Sequence, residues 1–208
     1  MEKIRRKERE HFVRRGEILQ AAEKIFAAKG FFHSSMSEIA EAAEFGTGTL
    51  YKYFRSKEDL YFTLIDEKTE EVNRLVKAEF SKKISALDRI KRALGHQLKF
   101  MEQNRNFFRI YISERNRFEW TVKDDLGKGI HDKMIAYIDF LAQTMKQGIK
   151  EGEFKSLDPV DMAHAFVGII NSFLFEWLIS SQPYSIVSKM DNILEIFLGG
   201  TQRMERRR

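Results

Sequence analysis

Apolar residues recur every three or four positions along most of the chain, and this spacing predicts an all-α protein. In the first helix, expected over about 9–28, the apolar face consists of Ile18, Ala22, Ile25 and Phe26. Gly30 follows, and glycine readily adopts the left-handed conformation in which many helices end. The pattern therefore predicts a first helix that stops at Gly30.

A second, shorter helix is predicted after Ser37, which is a favourable N-cap residue. Its buried side would carry Ile39, Ala40 and Ala43, and the pattern breaks at Gly46. A tight turn is therefore expected between this helix and the next.

The third predicted helix is short and turns Leu50 and Phe54 inward, since residues four apart share a helix face. Ser56 is expected to cap a fourth helix that continues toward Phe80. Longer amphipathic helices follow at about 84–103, 105–118, 123–151, 159–181 and 186–204. The sequence thus predicts about nine helices: an N-terminal three-helix bundle with a helix-turn-helix (1–56) and a larger C-terminal helical domain (57–208).

Composition narrows the class of protein. The 208 residues contain no cysteine, so disulfides and thiol chemistry are excluded, which suits a cytoplasmic protein. The N-terminus is charged, unlike a secretory signal. The most apolar stretch, around 167–178, is interrupted by Asn171, Ser172 and Glu176, which favours a buried helix over a membrane span.

Both ends of the chain are basic, within a net charge of +5. The first 15 residues and the last six are rich in arginine and lysine, which attract polyanions by releasing counterions. Basic ends also improve solubility, so this feature alone leaves both interpretations open.

The third helix has an outer surface of unusual composition: Thr47, Gly48, Thr49, Tyr51, Lys52 and Tyr53. Ordinary solvent-facing helices carry paired glutamates and lysines instead. Hydroxyl groups and lysine reach phosphates or base edges, and glycine permits close backbone approach. Tyr51 and Tyr53 cannot both be core residues, because residues two apart lie on roughly opposite sides of a helix. This surface therefore predicts contact with duplex DNA.

Residues 16–62 closely resemble the DNA-binding domain of the tetracycline-repressor (TetR) family. The resemblance rests on an ordered set of short motifs: Ile18 to Ala22, Met36 to Ala40, Gly48 to Phe54 and Ser56 to Leu60. It covers about a quarter of the chain, and the remainder is similar to the family only in length and helix count.

The resemblance implies roles for individual positions. It places Thr47, Gly48 and Lys52 at base edges. It places Thr49, Tyr51, Tyr53 and Lys57 at phosphates, with further contacts from Ser35 and Ser37. It also implies that the basic N-terminus reaches the adjacent minor groove, although a disordered tail would be equally basic.

One position departs from the family pattern. Glu44 stands where the family prefers glycine, so the turn is expected to be shifted or slightly strained. Gly46 is expected to take the sharp backbone angle.

Two binding functions are expected of the C-terminal domain. In helix 159–181, apolar residues cover more than one face, which is too much for a helix buried on one side only. The resemblance implies that the last two helices of two subunits form a four-helix homodimer interface; its candidate residues are Phe166, Ile170, Phe173, Trp177, Ile193 and Phe197. A single central core helix is the alternative. The resemblance also implies a pocket for an apolar or amphipathic effector among the middle helices; its candidate residues are His96, Phe100, Phe107, Phe108, Tyr111, Glu114, Tyr137 and Asn171. Core packing would also explain the aromatic residues, and Glu114 could instead pair with Arg115 or Arg117.

These expectations describe a transcriptional repressor that a small effector releases from a palindromic operator. An activator or a helical protein-interaction adaptor on the same fold is the alternative. No catalytic set or phosphate loop occurs in the sequence, so neither an enzyme nor a cofactor is expected. His96, His131 and His164 lack the close spacing of a metal motif, so no metal site is predicted.

Overall fold

The computed structural model describes residues 2–114 and 125–201. The described residues form nine α-helices and one 3₁₀ turn: α1 (Glu2–Lys29), α2 (Met36–Ala42), α3 (Thr47–Leu50), α4 (Lys57–Phe80), α5 (Ala86–Gln103), α6 (Arg105–Glu114), α7 (Asp125–Lys150), α8 (Pro159–Ile179), the 3₁₀ turn (Ile186–Lys189) and α9 (Met190–Thr201). The predicted all-α class and the helix-turn-helix are confirmed.

The helices divide into two compact units. Among the described residues, the first contains 2–68, 106–114 and 125–128, and the second contains 69–105 and 129–201. Helix α4 runs without interruption through 57–80 and so belongs to both units. The boundary after residue 56 stays a prediction.

The first unit has its core where α1, α2, α3 and the start of α4 meet. Ile18, Ile39, Leu50 and Leu60 are fully buried there. The rings of Phe26, Phe31 and Tyr61 pack beside one another, with centroids 5.0–5.7 Å apart. Clustered aromatic rings of this kind contribute beyond the area that they bury, so this cluster fixes α1 on α4.

Helix α1 is longer than predicted. It begins at Glu2, so the basic stretch expected to be an arm or a disordered tail forms the first turns of the helix. Gly30 ends it with φ +78°, as predicted, and its N–H donates to Phe26 O at 2.8 Å. The left-handed conformation is the one that favours glycine at this position.

The second unit has its core among α5, α7, α8 and α9. Buried side chains from these helices include Leu94, Leu141, Phe166 and Phe197. Phe154, in the loop between α7 and α8, also enters the core and packs against the backbone of Gly148. A Cβ at position 148 would clash with the Phe154 ring, so only glycine lets the ring pack this close to α7.

Helix α8 starts as predicted, with Pro159 in its first turn and Asp158 as N-cap. The Asp158 carboxylate accepts from Val160 N at 2.8 Å and from Asp161 N at 3.0 Å. The last segment differs from the predicted single helix over 186–204, because a 3₁₀ turn precedes α9.

By length and composition, α8 could cross a membrane, and it is the one such helix among the described residues. It nevertheless buries Met162, Ala163, Ile170 and Leu174 in the core of the second unit. Its other side exposes polar as well as apolar residues.

Candidate DNA-binding surface

The N-terminus of α2 is held by a capping box. Ser35 Oγ accepts from Glu38 N at 3.2 Å, and Glu38 Oε2 accepts from Ser35 N at 2.9 Å. Ser35 is therefore the N-cap, and the prediction of Ser37 was wrong by two residues. The reciprocal bonds satisfy two backbone donors at once, which a cap at Ser37 without a glutamate three residues on could not do. Ser35 and Ser37 are both exposed.

The turn after α2 is a Schellman motif with a glutamate at its left-handed position. Phe45 N donates to Ala40 O at 2.9 Å and Glu44 N donates to Glu41 O at 3.1 Å. Glu44 has φ +58°, whereas Gly46 has an ordinary extended φ of −69°. The expectation that Gly46 takes the sharp angle was wrong, because the hydrogen bonds of this motif demand the left-handed residue directly after the cap.

Helix α3 presents the predicted outer surface. Leu50 and Phe54 are buried, as predicted. Gly48, Tyr51 and Lys52 are exposed, with Tyr51 53 % accessible, whereas Thr47, Thr49 and Tyr53 are half-buried. A Cβ at Gly48 would meet no atom within 4 Å. The fold itself leaves room for a side chain there, so this surface is open to close approach from outside.

Lys57 has contacts within the protein, and its predicted phosphate role stays a prediction. Its Nζ donates to Phe31 O and to Ser34 O, both at 2.8 Å, and stands 4.4 Å from the centre of the Phe31 ring. Two of the three ammonium donors are thus used within the protein. The side chain ties the start of α4 to the loop between α1 and α2, which no local pattern could reveal because the carbonyls are 23 and 26 residues away.

The N-terminal part of α1 flanks the same surface through contacts of His11 and Arg15 that were not predicted from the sequence. The His11 ring packs on the Tyr53 ring at a centroid distance of 4.5 Å. Arg15 pairs with Glu67 and lies 5.5 Å from the centre of the Phe54 ring. Helical spacing could have predicted these contacts, because His11 and Arg15 lie on the same helix face as Ile18 and Ala22.

Between residues 7 and 15, α1 exposes three further cations: Lys7, Arg9 and Arg14. With Lys52, they give the first unit exposed positive charge on both α1 and the loop after α3. Such charge supplies the sequence-independent part of DNA affinity.

The eight residues predicted for an effector pocket belong to both units, and their common role as one pocket stays a prediction. A cleft of about 440 Å³ lies in the second unit between α4 and α7, and among the eight only Tyr137 lines it. Phe100, Phe107 and Phe108 are buried, and Tyr111 and Asn171 are half-buried.

The two charged candidates are placed differently. His96 Nε2 lies 3.2 Å from Glu79 Oε1, at a partly exposed ion pair. The side chain of Glu114 lies outside the described residues. Across the described residues there is also no group of three histidine or acidic side chains arranged to hold a metal ion.

Five of the six residues predicted for a dimer interface are core residues of the single chain. Phe166, Ile170, Trp177, Ile193 and Phe197 are each at most 3 % exposed, and the Phe166 and Phe197 rings pack in a tilted arrangement with centroids 4.8 Å apart. The face was therefore chosen wrongly, because these side chains are already covered by α5, α8 and α9. Phe173 is half-buried.

The same two helices expose other apolar side chains. Phe175, Ile179 and Ile196 are 51 %, 61 % and 55 % accessible. Large exposed apolar side chains grouped on adjacent elements indicate a surface that another molecule covers.

Comparison with known proteins gives two matches that together cover nearly the whole chain. Residues 18–64 match the profile of bacterial regulatory proteins of the tetR family. Residues 65–200 match the C-terminal region of YsiA-like proteins.

Individual relatives are distant in sequence and similar in fold. The fatty acid metabolism regulator protein of Bacillus subtilis is 24 % identical, over 88 % of this chain and 93 % of that protein. The crystal structure of the transcriptional regulator FadR from Bacillus subtilis in complex with stearoyl-CoA superposes with a TM-score of 0.73 at 24 % identity, covering 88 % of this chain and 97 % of that one.

Two further structures share the fold. KstR2, a ketosteroid transcriptional regulator of Mycobacterium tuberculosis, has a TM-score of 0.77 at 23 % identity, covering 92 % of this chain and 96 % of that one. AibR in complex with isovaleryl coenzyme A and operator DNA has a TM-score of 0.75 at 20 % identity, covering 88 % and 97 %. With a helix-turn-helix at the matched positions and the second match spanning more than half of its length, the chain belongs to the tetR family of bacterial regulatory proteins and is a DNA-binding transcriptional regulator.

Proposed function

We propose that this protein is a repressor that binds a palindromic operator as a homodimer and leaves it when a small amphipathic effector binds the second unit. The observation that carries the proposal is the exposed α3 surface. Its outer positions are hydroxyls, glycine and lysine, with the apolar positions fully turned inward.

On this surface, Thr47, Gly48 and Lys52 read base edges. Thr49, Tyr51 and Tyr53 hold phosphates. The open space at Gly48 favours close approach to the groove, and Tyr53 is supported from behind by His11. Phosphate contacts fix the orientation of a protein on the duplex, whereas base contacts specify the sequence.

Ser35 and Ser37 add hydroxyls at the start of α2, although Ser35 also serves as its N-cap. Lys57 holds a phosphate with its third ammonium donor and also has a structural role. By holding the loop between α1 and α2 to α4, it positions the helices of the DNA-binding unit.

The homodimer uses the exposed apolar side of α8 and α9. Phe175 and Ile179 are four residues apart on α8, and Gly168 and Ser172 continue the same exposed face with small side chains. Ile196, Gly199 and Gly200 form the corresponding exposed part of α9. A two-fold axis through such a face makes a self-complementary contact and presents two α3 helices to two half-sites.

The effector is an acyl thioester or a molecule of similar amphipathic character. Two relatives with this fold were crystallised with stearoyl-CoA and isovaleryl coenzyme A, respectively. Release requires that the effector bind the DNA-free state more tightly than the DNA-bound state. Helix α4 is the physical connection, because it begins beside α3 and continues into the second unit.

Fluorescence anisotropy with labelled DNA from upstream of the gene tests the DNA-binding surface. Lys52→Ala is expected to weaken specific binding about tenfold or more, because a base contact is worth about 1–3 kcal/mol and a dimer loses two. Lys24→Ala is the matched control, since Lys24 is an exposed lysine on α1 outside this surface. Equal affinity of the wild type for the upstream DNA and a scrambled duplex, at several salt concentrations, would contradict the proposal.

A further inference from the structure

The cleft between α4 and α7 combines an apolar floor with a charged rim. Its apolar lining includes Val76 and Phe80 from α4 and Ala136, Tyr137 and Phe140 from α7. Its volume of about 440 Å³ lies within the range of small-molecule sites.

The rim of the cleft is predominantly basic. Arg74, Lys77 and Lys133 line it, with Glu70 as the one acidic lining residue. Arg74 and Lys77 are exposed on successive turns of the same side of α4. Lys77 Nζ also lies 5.0 Å from the centre of the Phe140 ring, at the point where the basic rim meets the apolar floor.

Glu70 is engaged by Lys133 across the rim. Lys133 Nζ lies 3.2 Å from Glu70 Oε2, and Asn73 Nδ2 donates to Lys133 O at 3.4 Å. These two contacts join α4 to α7 at one end of the cleft. The carboxylate of Glu70 thus pairs with Lys133, which is one of the three basic side chains on the rim that could bind an anionic ligand.

The polar group at the floor is already satisfied. The Tyr137 hydroxyl donates to Gln97 Oε1 at 2.8 Å, and its burial raises the pKa of the phenol well above its usual value. The hydroxyl therefore remains neutral, and the Tyr137 ring presents an apolar face to the cleft. A ligand with an apolar tail loses no hydrogen bond on that floor.

We propose that this cleft binds an anionic amphiphile, with its carboxylate or phosphate head on Arg74 and Lys77 and its hydrocarbon tail on Ala136, Tyr137 and Phe140. The assignment deepens the function proposed above and rests on it, since the amphiphile is the effector. The Glu70–Lys133 pair acts against the ligand, because it places a negative charge on the rim and holds α4 to α7.

Isothermal titration calorimetry without DNA tests the site, using dodecanoate, dodecanoyl-CoA, dodecanol and coenzyme A as probes. At least one of the two acyl anions is expected to bind, and the pair distinguishes a carboxylate head from a phosphate head. Dodecanol and coenzyme A are each expected to bind about tenfold more weakly or not at all, since each lacks one half of the ligand.

Four variants locate the binding. Arg74→Gln and Lys77→Gln are each expected to weaken the acyl anion about tenfold, and Ala136→Trp is expected to fill the cleft and abolish binding. Glu70→Gln is expected to strengthen binding severalfold, because it removes the competing carboxylate. Lys99→Gln, at an exposed lysine on α5 outside the cleft, is the matched control.

Dodecanol binding as tightly as the acyl anions, or an unchanged affinity in both Arg74→Gln and Lys77→Gln, would overturn the assignment. DNA release, measured separately by anisotropy, distinguishes the two proposals. An acyl anion that binds the cleft without releasing DNA leaves the site in place and contradicts the effector role. Release that persists in Ala136→Trp places the effector elsewhere and leaves the repressor intact.

Discussion

Helices α3 and α8 distribute their apolar side chains in opposite ways. In the α3 segment, Leu50 and Phe54 are buried and the outer positions are polar or glycine. Helix α8 buries Phe166, Ile170 and Leu174 on one side, yet Phe175 and Ile179 remain exposed on another. One helix is apolar on a single side, and the other is apolar on two.

The difference indicates what kind of partner each surface requires. A polar, glycine-containing surface loses little by meeting water and gains most from a polar, charged partner such as DNA. An apolar second side is unfavourable in water and is stabilised when a similar surface covers it. The proposed function accordingly assigns DNA recognition to α3 and self-association to α8.

The sharpest test of this comparison uses two phenylalanines on the same helix. Phe166→Ala is expected to lower the free energy of unfolding by about 3–5 kcal/mol, because a fully buried aromatic ring leaves a cavity beside Phe197. Phe175→Ala is expected to preserve the fold of the subunit and to weaken the dimer. Urea denaturation followed by circular dichroism measures the first effect, and sedimentation equilibrium measures the second.

Protein concentration separates the two effects further. If a variant is less stable because its subunits associate more weakly, the loss of stability becomes smaller as the protein concentration rises. A core cavity instead lowers the free energy of unfolding by the same amount at every concentration. Phe175→Ala should show the first behaviour and Phe166→Ala the second. A dimer unaffected by Phe175→Ala would remove this face from the interface.

How much of this could be predicted from sequence differs between the same two regions. Around α3, spacing alone placed Leu50 and Phe54 inside, because a helix of a few residues with two apolar positions has only one way to bury them. In α8, the apolar residues surround most of the helix, so periodicity could not show which side faces the core. Three of the four interface residues predicted there, Phe166, Ile170 and Trp177, proved to be core residues for that reason.

Contacts between distant segments were also beyond prediction. The carbonyl partners of Lys57 depend on how the loop between α1 and α2 folds back onto α4. The cleft likewise depends on how α4 and α7 pack, and only Tyr137 of its lining was singled out by composition. Helix N-caps were easier to predict than these long-range contacts, because a cap depends on neighbouring residues. The start of α8 at Asp158 and Pro159 was predicted correctly, while the cap of α2 was predicted two residues too late.

A smaller effect is expected at the turn before α3. Glu44→Gly should raise the free energy of unfolding by about 1 kcal/mol, because a non-glycine residue at φ +58° is strained in the left-handed region. Thermal denaturation checks the change. Glu44→Ala is the matched control: it removes the same carboxylate and keeps the strained backbone, so its stability should not rise. A gain of equal size in both variants would assign the effect to charge instead of backbone.

The smallest expected effect concerns pH and the cap of α2. Hydrogen bonds from Lys29, and then from Ser35, hold the pKa of Glu38 below its usual value of 4.5. Because the pKa is lower in the folded state, the contribution of the ionised Glu38 to the free energy of unfolding is fully present above about pH 4.5 and is lost as the pH falls through the folded-state pKa.

Glu38→Gln keeps an acceptor for Ser35 N but cannot titrate, so its stability should fall less on acidification than that of the wild type. Glu41→Gln, at an exposed glutamate on the same helix, should instead retain the wild-type dependence. Parallel acid profiles for Glu38→Gln and wild type, measured by thermal denaturation between pH 6 and pH 3, would show that the cap makes no titratable contribution to this unit.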